Sequence, residues 1–478
     1  MSKIEIGLKE KIHFIGIGGI GMSGLAQVMK TMGFMVQGSD LSSSKNVERC
    51  KKIGIKVFKS HSIKNLKGTT LIVKSTAIKD DNPEVKAAKK KKLNILKRAE
   101  MLAHVVSLKT NIVITGSHGK TTTTSLISKI LSTAKLDPTI INGGVINSLN
   151  SNAKLGKGEW AVLEADESDG SFLNFPVNYS IVTNLDREHL DFYKNFKNLK
   201  NSFIKFLNKT PSIGKSFVCI DDPEIKKILS KINNSNFLTY GFSNKSNFRI
   251  FEPIYKKNYS VFNIRILIPG SKNKIIKKIK LNLIGQHNVL NAAAAVAMCL
   301  HIGIKIDVIK KSLRVFTGIQ RRLTKIYTID GKEFYDDYAH HPTEIKSILK
   351  SLKTTSEGRK IVSVFQPHRY SRLMRLKTEF ASSFKDSDLV VLCPVYSAGE
   401  RVDKKYNPIN FARLIQRYSK AQVLLVNNEI DLKKFFLKNL IKKEIIVCMG
   451  AGSISRWIRE MKLWFIEMKN FQNTIGLI

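Results

Sequence analysis

Cysteines are few in this sequence, and none of them has a paired spacing. The five cysteines stand far apart, at Cys50, Cys219, Cys299, Cys393 and Cys448. Disulfide-rich secreted domains and structural zinc sites carry cysteines at short, repeated spacings. The sequence therefore predicts reduced core cysteines and argues against both a disulfide framework and a cysteine metal site.

Long apolar runs are also missing. Residues 292–300, the longest apolar stretch with a helical pattern, fall far short of the ~20 residues that span a bilayer. Residues 1–10 mix charges of both signs and lack the apolar segment of a secretory signal. We therefore expect a cytoplasmic protein without membrane insertion.

Acidic side chains are in the minority. Lysine and arginine together number 80, against 38 aspartates and glutamates, so the formal net charge is +42. A balance this basic raises the hypothesis of nucleic-acid binding. The lysines, however, are spread over the whole chain among isoleucines and asparagines, without a basic arm or a zinc-finger spacing. We therefore predict no specific nucleic-acid partner and attribute the charge to compositional drift, while a functional polyanion surface stays open.

The length and composition are those of a folded multidomain protein. With 478 residues, of which 43% are hydrophobic, the chain is too long for one ordinary core and fits three domains of roughly 100–200 residues. Strand-like apolar runs followed by a turn and a helical pattern recur, which predicts parallel α/β layers. These runs cover residues 12–15, 112–115, 161–163, 181–183, 361–365, 389–393, 423–426 and 445–449.

Residues 237–284 carry a different pattern. Polar and apolar residues alternate at 260–267 and 275–283, a period typical of half-buried strands. We expect antiparallel strands here, attached to the sheet of the central domain.

The first glycine-rich loop reads Gly-Ile-Gly-Gly-Ile-Gly over residues 16–21 and lies between a strand and a helical pattern. Ser39 and Asp40 follow about 20 residues later, where a Rossmann fold places its ribose-binding acid. This context favours a diphosphate that rests on a helix N-terminus. Taken alone, the loop favours an NAD-dependent oxidoreductase over a nucleotide-sugar protein, and a turn without any ligand stays possible.

The second loop reads Gly-Ser-His-Gly-Lys-Thr-Thr over residues 116–122, again between a strand and a helix. In such a loop, backbone N–H groups wrap phosphates, Lys120 can meet the β- and γ-phosphates, and the hydroxyl of Thr121 or Thr122 can reach Mg²⁺. Ile114 stands where the strict P-loop has glycine, so the loop is a shortened variant. It predicts ATP binding.

Carboxylates and a histidine follow the second loop. Residues 164–169 read Glu-Ala-Asp-Glu-Ser-Asp after one strand, and residues 183–191 bring three acids and His189 after another. Because they cluster at strand ends beside a phosphate loop, these side chains are candidate Mg²⁺ ligands and substrate positioners.

Together these motifs resemble the Mur ligase family of peptidoglycan synthesis, and the similarity runs through essentially the whole chain. It includes the extended first loop at 16–24, the second loop and the acidic run. The further motifs are Gly-Gln-His-Asn-Val-Leu-Asn at 285–291, Gly-Ile-Gln-Arg-Arg at 318–322, Asp-Asp-Tyr-Ala-His-His-Pro-Thr-Glu at 336–344, Phe-Gln-Pro-His-Arg at 365–369 and Gly-Ala-Gly at 450–452.

The resemblance implies three α/β domains. These are a Rossmann-like UDP-sugar domain (1–108), a central P-loop-type ATPase domain with extra antiparallel strands (109–323) and a C-terminal Rossmann-like domain that binds the amino acid (324–478). The resemblance also implies that ATP, with Mg²⁺, converts the lactyl carboxylate of UDP-N-acetylmuramate into an acyl phosphate, which L-alanine then attacks. We expect a monomer or a weak homodimer.

The resemblance also implies which residues bind ATP and metal. The matches to the ATP-binding pattern are Gly116, Ser117, His118, Gly119, Lys120, Thr121, Thr122, Asn288, Asn291, Arg322 and Asp337. Lys120 would hold the γ-phosphate and Thr121 would ligate the Mg²⁺ on the ATP phosphates. Glu167 and His189 would hold a second metal near the sugar carboxylate, and with Lys120 they are the expected catalytic residues.

Two further sets of residues match the family's substrate sites. The expected UDP-sugar residues are Gly18, Gly19, Gly21, Ser39, Asp40, Ser75 and Thr76. His368, Arg369 and Arg372 would form the amino-acid carboxylate pocket, since guanidinium groups suit carboxylates. A Rossmann fingerprint beside a separate ATP loop also favours UDP over NAD for the first loop.

Two alternatives stay open. A recycling ligase of the same family would attach a whole peptide to the same sugar nucleotide. A basic NTPase stimulated by nucleic acid would hydrolyse ATP faster with DNA or RNA and bind them in a strongly salt-dependent way.

Overall fold

The computed structural model describes residues 10–107, 109–232, 236–270, 272–440 and 443–475. These residues form two compact units. The first holds the described residues up to Ile254 with Val261–Asn282 and Asn288–Thr317, and the second holds Tyr255–Ser260, Leu283–His287 and the described residues from Gly318 onward. The outer limits predicted at residues 1 and 478, the boundary residue 108 and nearly all of segment 1–10 lie outside the described residues.

A five-stranded parallel sheet forms the first domain. Its strands are β1 (Lys11–Ile15), β2 (Met35–Ser39), β3 (Lys56–Phe58), β4 (Leu71–Lys74) and β5 (Asn94–Lys97). Its helices are α1 (Ile20–Thr31), α2 (Lys45–Lys52), α3 (Pro83–Lys90) and α4 (Arg98–Val106). The strand order is β3-β2-β1-β4-β5 and every pair is parallel. The order reverses between β1 and β4, where open parallel sheets bind ligands, and the first glycine loop follows β1 directly.

A ten-stranded sheet forms the central domain. Its strands are β6 (Thr110–Thr115), β7 (Thr139–Ile146), β8 (Ser151–Lys154), β9 (Trp160–Glu164), β10 (Tyr179–Val182), β11 (Lys215–Cys219), β12 (Phe237–Gly241), β13 (Phe248–Tyr255), β14 (Ser260–Ile266) and β15 (Lys274–Leu281). Its helices are α5 (Lys120–Thr133), α6 (Leu190–Tyr193), α7 (Phe196–Asn208), α8 (Pro223–Leu229), α9 (Gln286–His301) and α10 (Ile306–Arg314). The strands lie in the order β15-β14-β13-β12-β11-β10-β6-β9-β7-β8.

The central sheet is mixed, as the sequence predicts. From β12 to β7 the neighbouring strands are parallel, and β8 is antiparallel to β7. At the other edge, β13 and β14 are neighbours joined only by residues 256–259. The N–H of Lys256 donates to the carbonyl of Tyr259 at 2.9 Å, and the N–H of Leu267 donates to the carbonyl of Asn247 at 2.7 Å, so β13 and β14 run antiparallel. The predicted extension of the central sheet by residues 237–284 is confirmed, but antiparallel pairing throughout the segment is wrong, because β12 pairs in parallel with both β11 and β13.

A six-stranded sheet forms the third domain. Its strands are β16 (Thr324–Ile329), β17 (Lys332–Asp337), β18 (Ile361–Phe365), β19 (Leu389–Leu392), β20 (Gln422–Leu425) and β21 (Ile445–Met449). Its helices are α11 (Pro342–Thr355), α12 (Tyr370–Arg375), α13 (Lys377–Ala381), α14 (Pro408–Ser419), α15 (Glu429–Asn439) and α16 (Ile454–Ile475). The order is β16-β17-β21-β18-β19-β20, parallel except for β16. Two apolar cores, one containing Phe365 and the other Phe334, bury the sheet residues.

Glu333 is a polar anchor of β17. Its buried carboxylate lies 3.0 Å from Lys257 Nζ, 3.1 Å from Lys325 Nζ and 3.1 Å from Arg359 Nη1, and it accepts a hydrogen bond from the Tyr335 hydroxyl at 2.9 Å. Although burial alone would raise the pKa of Glu333, these hydrogen bonds lower it to about 2. The carboxylate therefore stays ionised and paired at neutral pH.

The helices cover the sheets through apolar stripes. On α7, for example, Leu199, Phe203, Phe206 and Leu207 are buried, at the spacing of a single helix face. Among the helices in the described part of the chain, none has both the length and the apolar content needed to cross a membrane.

Candidate active site

The second glycine loop joins β6 to α5, as the sequence predicts. Gly119 precedes the helix with a left-handed backbone, at φ 83°. A Cβ at this position would lie 2.4 Å from Asn291 Oδ1, so any side chain would have to displace the Asn291 amide and adopt a backbone conformation that favours glycine. The first-turn N–H groups of α5 lack intrahelical acceptors, and the positive end of the helix dipole there favours an anion.

Residues at and after the end of β10 hold this loop through hydrogen bonds. Thr183 Oγ1 and Asn184 Nδ2 donate to the carbonyl of His118 at 2.6 and 2.9 Å. Asn184 Oδ1 accepts the His118 N–H at 2.8 Å, and Ser117 Oγ accepts the Asp186 N–H at 2.8 Å. In the sequence this run is only part of a polar strand end, whereas in the structure it fixes the phosphate loop.

Lys120 lies among acceptors rather than in solvent. Its Nζ donates to the carbonyls of Gly116 and Ser117 at 2.6 and 3.2 Å, and it lies 2.8 and 3.1 Å from the two carboxylate oxygens of Glu167. Although burial alone would lower the pKa of Lys120, the negative charges of Glu167, Asp166 and a further carboxylate raise it. Lys120 is therefore a permanent cation at the start of α5.

Asp166, Glu167 and His189 form an acidic centre beside Lys120. Their ligand atoms lie within 4.8 Å of one another, and His189 Nε2 is 3.7 Å from Glu167 Oε1. Burial raises the pKa of Glu167 even though Lys120 opposes the rise. His189 has a left-handed backbone, with φ 56°, a conformation that non-glycine residues adopt mainly where the surrounding structure requires it. The Tyr193 hydroxyl donates to the Glu167 carbonyl at 2.5 Å.

The donor set fits a divalent cation. Carboxylate and hydroxyl oxygens are the ligands that Mg²⁺ prefers, and the Asp166–Glu167–His189 group supplies two carboxylates and an imidazole. A second oxygen-rich position lies at Thr121, whose hydroxyl donates to Glu164 Oε1 at 3.1 Å. The Thr121 hydroxyl thus pairs with Glu164, a carboxylate that the sequence-based set of metal ligands does not include, and the expectation of two metal positions stays a prediction.

The two asparagines expected to hold adenine lie on α9. Both are buried, and Asn291 Nδ2 lies 3.5 Å from Asn288 Oδ1. Asn291 also borders Gly119, so the structure places this helix beside the phosphate loop. Arg322 and Asp337, the other expected ATP residues, belong to the second unit.

Asp40 holds the first glycine loop. Its carboxylate accepts the N–H of Gly18 at 2.7 Å, and it accepts the N–H and the hydroxyl of Ser42 at 2.9 and 2.7 Å. Gly19, the next residue of the loop, is exposed. Asp40, which is predicted to contact the uridine, thus holds the first glycine loop, which is predicted to face the diphosphate.

Ser39 is buried, unlike the other residues expected around the uridine. Its hydroxyl donates to Glu84 Oε2 at 2.5 Å and lies 3.0 Å from His61 Nδ1. Although burial alone would raise the pKa of Glu84, hydrogen bonds from His13 and Ser39 lower it to about 2. The Ser39 side chain therefore anchors the end of β2 to a buried carboxylate.

The remaining two predicted uridine residues follow β4. The N–H of Ser75 donates to the carbonyl of Ile15 at 3.1 Å, at the end of β1. Thr76 is exposed. Both residues therefore lie at the switch point of the first sheet, beside the first glycine loop.

Arg98 faces the first loop and was not found by sequence reasoning. A Cβ on Gly21 would lie 3.1 Å from Arg98 Nη1. Although burial opposes the shift, the charges of Lys120, His189 and Arg98 lower the pKa of Asp166. Arg98 therefore brings positive charge to the region between the two loops, and only its place at the start of α4 in the fold reveals this.

The three residues expected to bind the amino acid follow β18 in the second unit. Arg372 Nη1 donates to His368 Nδ1 at 3.2 Å, and the His368 ring stacks on Tyr396 at 5.6 Å. Burial, with the neighbouring charges of His340 and Arg372, lowers the pKa of His368 to about 3. His368 is therefore a neutral hydrogen-bonding group, and the positive charge comes from Arg369 and Arg372.

Asp337 organises the turn after β17. Its carboxylate accepts the N–H groups of Leu323 and Ala339 at 2.6 and 2.7 Å. Burial raises the pKa of Asp337 to about 7, although Arg322 opposes the rise. Arg322 Nη1 lies 3.8 Å from Glu344 Oε1, so the two predicted ATP residues of this unit share one polar cluster.

Family models match nearly all of the chain. The model described as Mur ligase family, catalytic domain, matches residues 11–110. Mur ligase middle domain matches residues 114–299, and Mur ligase, glutamate ligase domain, matches residues 321–452. The three matched segments correspond to the three sheets.

Individual proteins are similar over the same length. The chain is 54% identical over 459 residues to the UDP-N-acetylmuramate–L-alanine ligase of Pelagibacter ubique, covering 96% of this chain and 99% of that protein. It is 42% identical to the enzyme of the same name from Brucella anthropi, covering 95% and 96%. The crystal structure of UDP-N-acetylmuramate–alanine ligase from Thermotoga maritima superposes with a TM-score of 0.80 at 28% identity, covering 96% and 99%. The chain therefore belongs to the Mur ligase family.

Proposed function

We propose that this protein is an ATP-dependent ligase that joins L-alanine to the lactyl carboxylate of UDP-N-acetylmuramate in cytoplasmic peptidoglycan precursor synthesis. The observation that carries the proposal is the Lys120 loop beside Asp166, Glu167 and His189, in one unit with a second glycine loop. The names of the relatives, which match over almost their whole length, support the choice of substrates. The domain limits 1–108, 109–323 and 324–478 are part of the proposal.

In the first step, a carboxylate oxygen of the sugar nucleotide attacks the γ-phosphorus of ATP, and ADP leaves. Lys120 would bind the γ-phosphate, and the N–H groups at the start of α5 would bind the other phosphates. Fixed positive groups of this kind stabilise the charge that develops during phosphoryl transfer. Asn288 and Asn291 would hold the adenine, with Arg322 and Asp337 as further ATP residues.

Mg²⁺ would be held at two positions, by Thr121 with Glu164 and by Glu167 and His189 with Asp166. When bound, such a cation neutralises phosphate charge and orients the reacting oxygens. The low pKa of Asp166 keeps that carboxylate ionised and available as a ligand. A proton on Glu167 would have to leave before it could bind a metal, since ligands bind in the deprotonated form.

The sugar nucleotide would bind at the switch point of the first sheet. The N–H groups of Gly19 and Gly21 would face the diphosphate, and Asp40, Ser75 and Thr76 would face the uridine. Since the side chain of Ser39 is buried against Glu84, Ser39 would act by holding the end of β2.

In the second step, the neutral amine of L-alanine attacks the acyl phosphate at its carbonyl carbon to give a tetrahedral intermediate. The nitrogen then loses a proton to solvent, and phosphate leaves. Arg369 and Arg372 would bind the carboxylate of the amino acid. Because the pKa of His368 is about 3, this histidine would orient Arg372 by accepting its hydrogen bond and would not contribute charge.

Release of ADP with different amine donors tests the proposal. We expect turnover with UDP-N-acetylmuramate and L-alanine, weaker turnover with glycine or L-serine, and none with a tripeptide. Turnover with the tripeptide alone would favour the recycling ligase. An ATP hydrolysis rate raised by DNA or RNA, without the sugar nucleotide, would favour the nucleic-acid-stimulated NTPase.

A further inference from the structure

A buried asparagine connects the first and central domains. Asn152, on β8, is 0% exposed, and its Nδ2 donates to the carbonyl of Ile20, the first residue of α1, at 2.6 Å. The carbonyl of Asn142 lies 3.5 Å from the same nitrogen. Two acceptors therefore face this nitrogen and fix the orientation of the amide, because its oxygen would be repelled there.

The hydrogen bonds continue from Asn142 to the ATP loop. Asn142, buried on β7, donates from Nδ2 to Ser125 Oγ at 2.8 Å, and Ser125 Oγ donates to the carbonyl of Thr121 at 2.7 Å. Thr121 lies in the first turn of α5. A series of hydrogen bonds, buried except at its Ile20 end, thus runs from the helix after the first glycine loop to the helix after the second.

Gly24 makes room for the Asn152 contact. It lies inside α1, where glycine destabilises a helix relative to alanine. A Cβ at this position would lie 3.0 Å from Asn152 Nδ2 and 3.2 Å from Ala153 Cβ. Gly24 comes after the glycine fingerprint of residues 16–21, so phosphate binding gives no reason for it. The close approach of β8 to α1 explains why position 24 is a glycine.

We propose that Asn152 is a positioning residue that sets the distance between the sugar-nucleotide loop and the ATP loop. The proposal rests on the proposed function, in which a carboxylate bound at one loop attacks a phosphate bound at the other. Reacting groups must be held within about 3–3.5 Å, and a displacement of about 1 Å can lower the rate by about 10²-fold. Asn152 acts through the two helices and not by touching substrate.

Removing the Asn152 amide still leaves one side-chain donor on the Ile20 carbonyl. Ser23 Oγ also donates to the Ile20 carbonyl, at 2.9 Å. The variant Asn152→Ala therefore leaves the carbonyl paired, and we expect it to fold. A matched control is Asn111→Ala. Asn111 is equally buried in the central domain and pairs through Oδ1 with the Asn178 N–H at 2.9 Å, but it lies at the opposite end of β6 from the loop.

Kinetics and binding together test the proposal. For Asn152→Ala we expect kcat with UDP-N-acetylmuramate, ATP and L-alanine to fall about 10²-fold, by loss of alignment. The separate Kd values of ATP and of UDP-N-acetylmuramate should change less than about 3-fold, since both loops keep their own contacts. Gly24→Ala, which pushes against the same amide, should lower kcat in the same direction but less. Unchanged kcat in Asn152→Ala, or a loss no larger than in Asn111→Ala, would overturn the proposal.

Hydrogen–deuterium exchange provides a readout that does not depend on turnover. In the unmodified protein, we expect ATP with Mg²⁺ to slow exchange in the first turn of α1, because the hydrogen bonds transmit the ordering of α5. Asn152→Ala should abolish this effect and Asn111→Ala should retain it. An effect of ATP on α1 that persists in Asn152→Ala would refute the connection. If the unmodified protein shows the exchange effect but no ligase activity, the proposed function fails and the connection stands.

Discussion

Replacing Lys120 by alanine separates two tasks of one side chain, phosphate binding and the neutralisation of a buried carboxylate. The Glu167 side chain is 0% exposed and lies 2.8 Å from Lys120 Nζ. Removing one partner of a buried ion pair typically costs about 3–5 kcal/mol, because the remaining charge is uncompensated. In a domain of about 200 residues, each kcal/mol lowers Tm by roughly 2–4 °C. We therefore expect Lys120→Ala to lower the Tm of the central domain by at least about 6 °C at pH 8.

The size of this loss depends on pH because burial raises the pKa of Glu167. A carboxyl with a raised pKa in the folded state contributes stability that is fully present below its unfolded pKa, about 4.3, and is lost as the pH rises through its folded pKa. Removing Lys120 takes away a cation that opposes the rise, so the pKa of Glu167 rises further. The variant should therefore resemble the unmodified protein most at low pH, and the difference in Tm should widen as the pH increases.

Calorimetry between pH 5 and pH 8 measures how far Lys120 compensates the charge of Glu167, and ADP release measures its role in phosphate binding. The double variant Lys120→Ala/Glu167→Gln removes the buried charge, so it should recover most of the Tm at pH 8 while staying inactive. Equal Tm losses in the single and double variants, or no loss in the single variant, would refute the role of Lys120 as the compensating charge. Turnover by Lys120→Ala would refute its role on the phosphate.

Three further variants test the site and the fold. Gly119→Ala should abolish binding of a fluorescent ATP analogue, because its Cβ would lie 2.4 Å from Asn291 Oδ1. The control Gly303→Ala, at a position equally left-handed with φ 85° and open space around it, should bind the analogue normally. Equal affinities of the two variants would contradict the steric argument. Thr121→Val removes a proposed Mg²⁺ ligand and should raise the Mg²⁺ concentration for half-maximal rate by at least about 10-fold, since even the loss of a group that only supports a ligand costs about that much. An unchanged requirement would exclude Thr121 as a ligand. Glu333→Gln should lower Tm at pH 7 but hardly at pH 2. A carboxylate with a pKa of about 2 loses its stabilising effect as the pH falls from about 4.3 toward 2. A Tm loss that is independent of pH would contradict this reasoning.

The sequence predicts the fold well because its patterns are local. The sequence predicts a strand over residues 361–365, and β18 has those limits. Three of its five residues, Ile361, Val362 and Val364, are β-branched and favour a strand locally, and the mostly apolar run is typical of a strand buried on both faces. The Lys120 loop is predictable for the same reason, as its strand, glycines and helix are contiguous.

The rest of the candidate site depends on contacts between distant parts of the chain. Ser39 matches a uridine-binding position, but its side chain turns inward to Glu84, since consecutive residues of a strand face opposite sides. Arg98 meets Gly21 only because β5 and α4 return to the first loop. Asn152 has no motif around it, and its partner Ile20 is known only from the packing of β8 on α1. Such juxtapositions are tertiary and leave no signal in a single sequence.

The contact between Gly24 and Asn152 also limits how this chain can be recombined with its relatives. A chimera that takes its first domain from one ligase and its central domain from another would separate the two residues that fit each other. A larger residue at position 24 against Asn152 would push the two domains apart, and a smaller residue at 152 would leave a gap beside the glycine. Domain exchange with a protein that carries a different residue at either position therefore requires that positions 24 and 152 be transferred together, even though 127 residues separate them in the sequence.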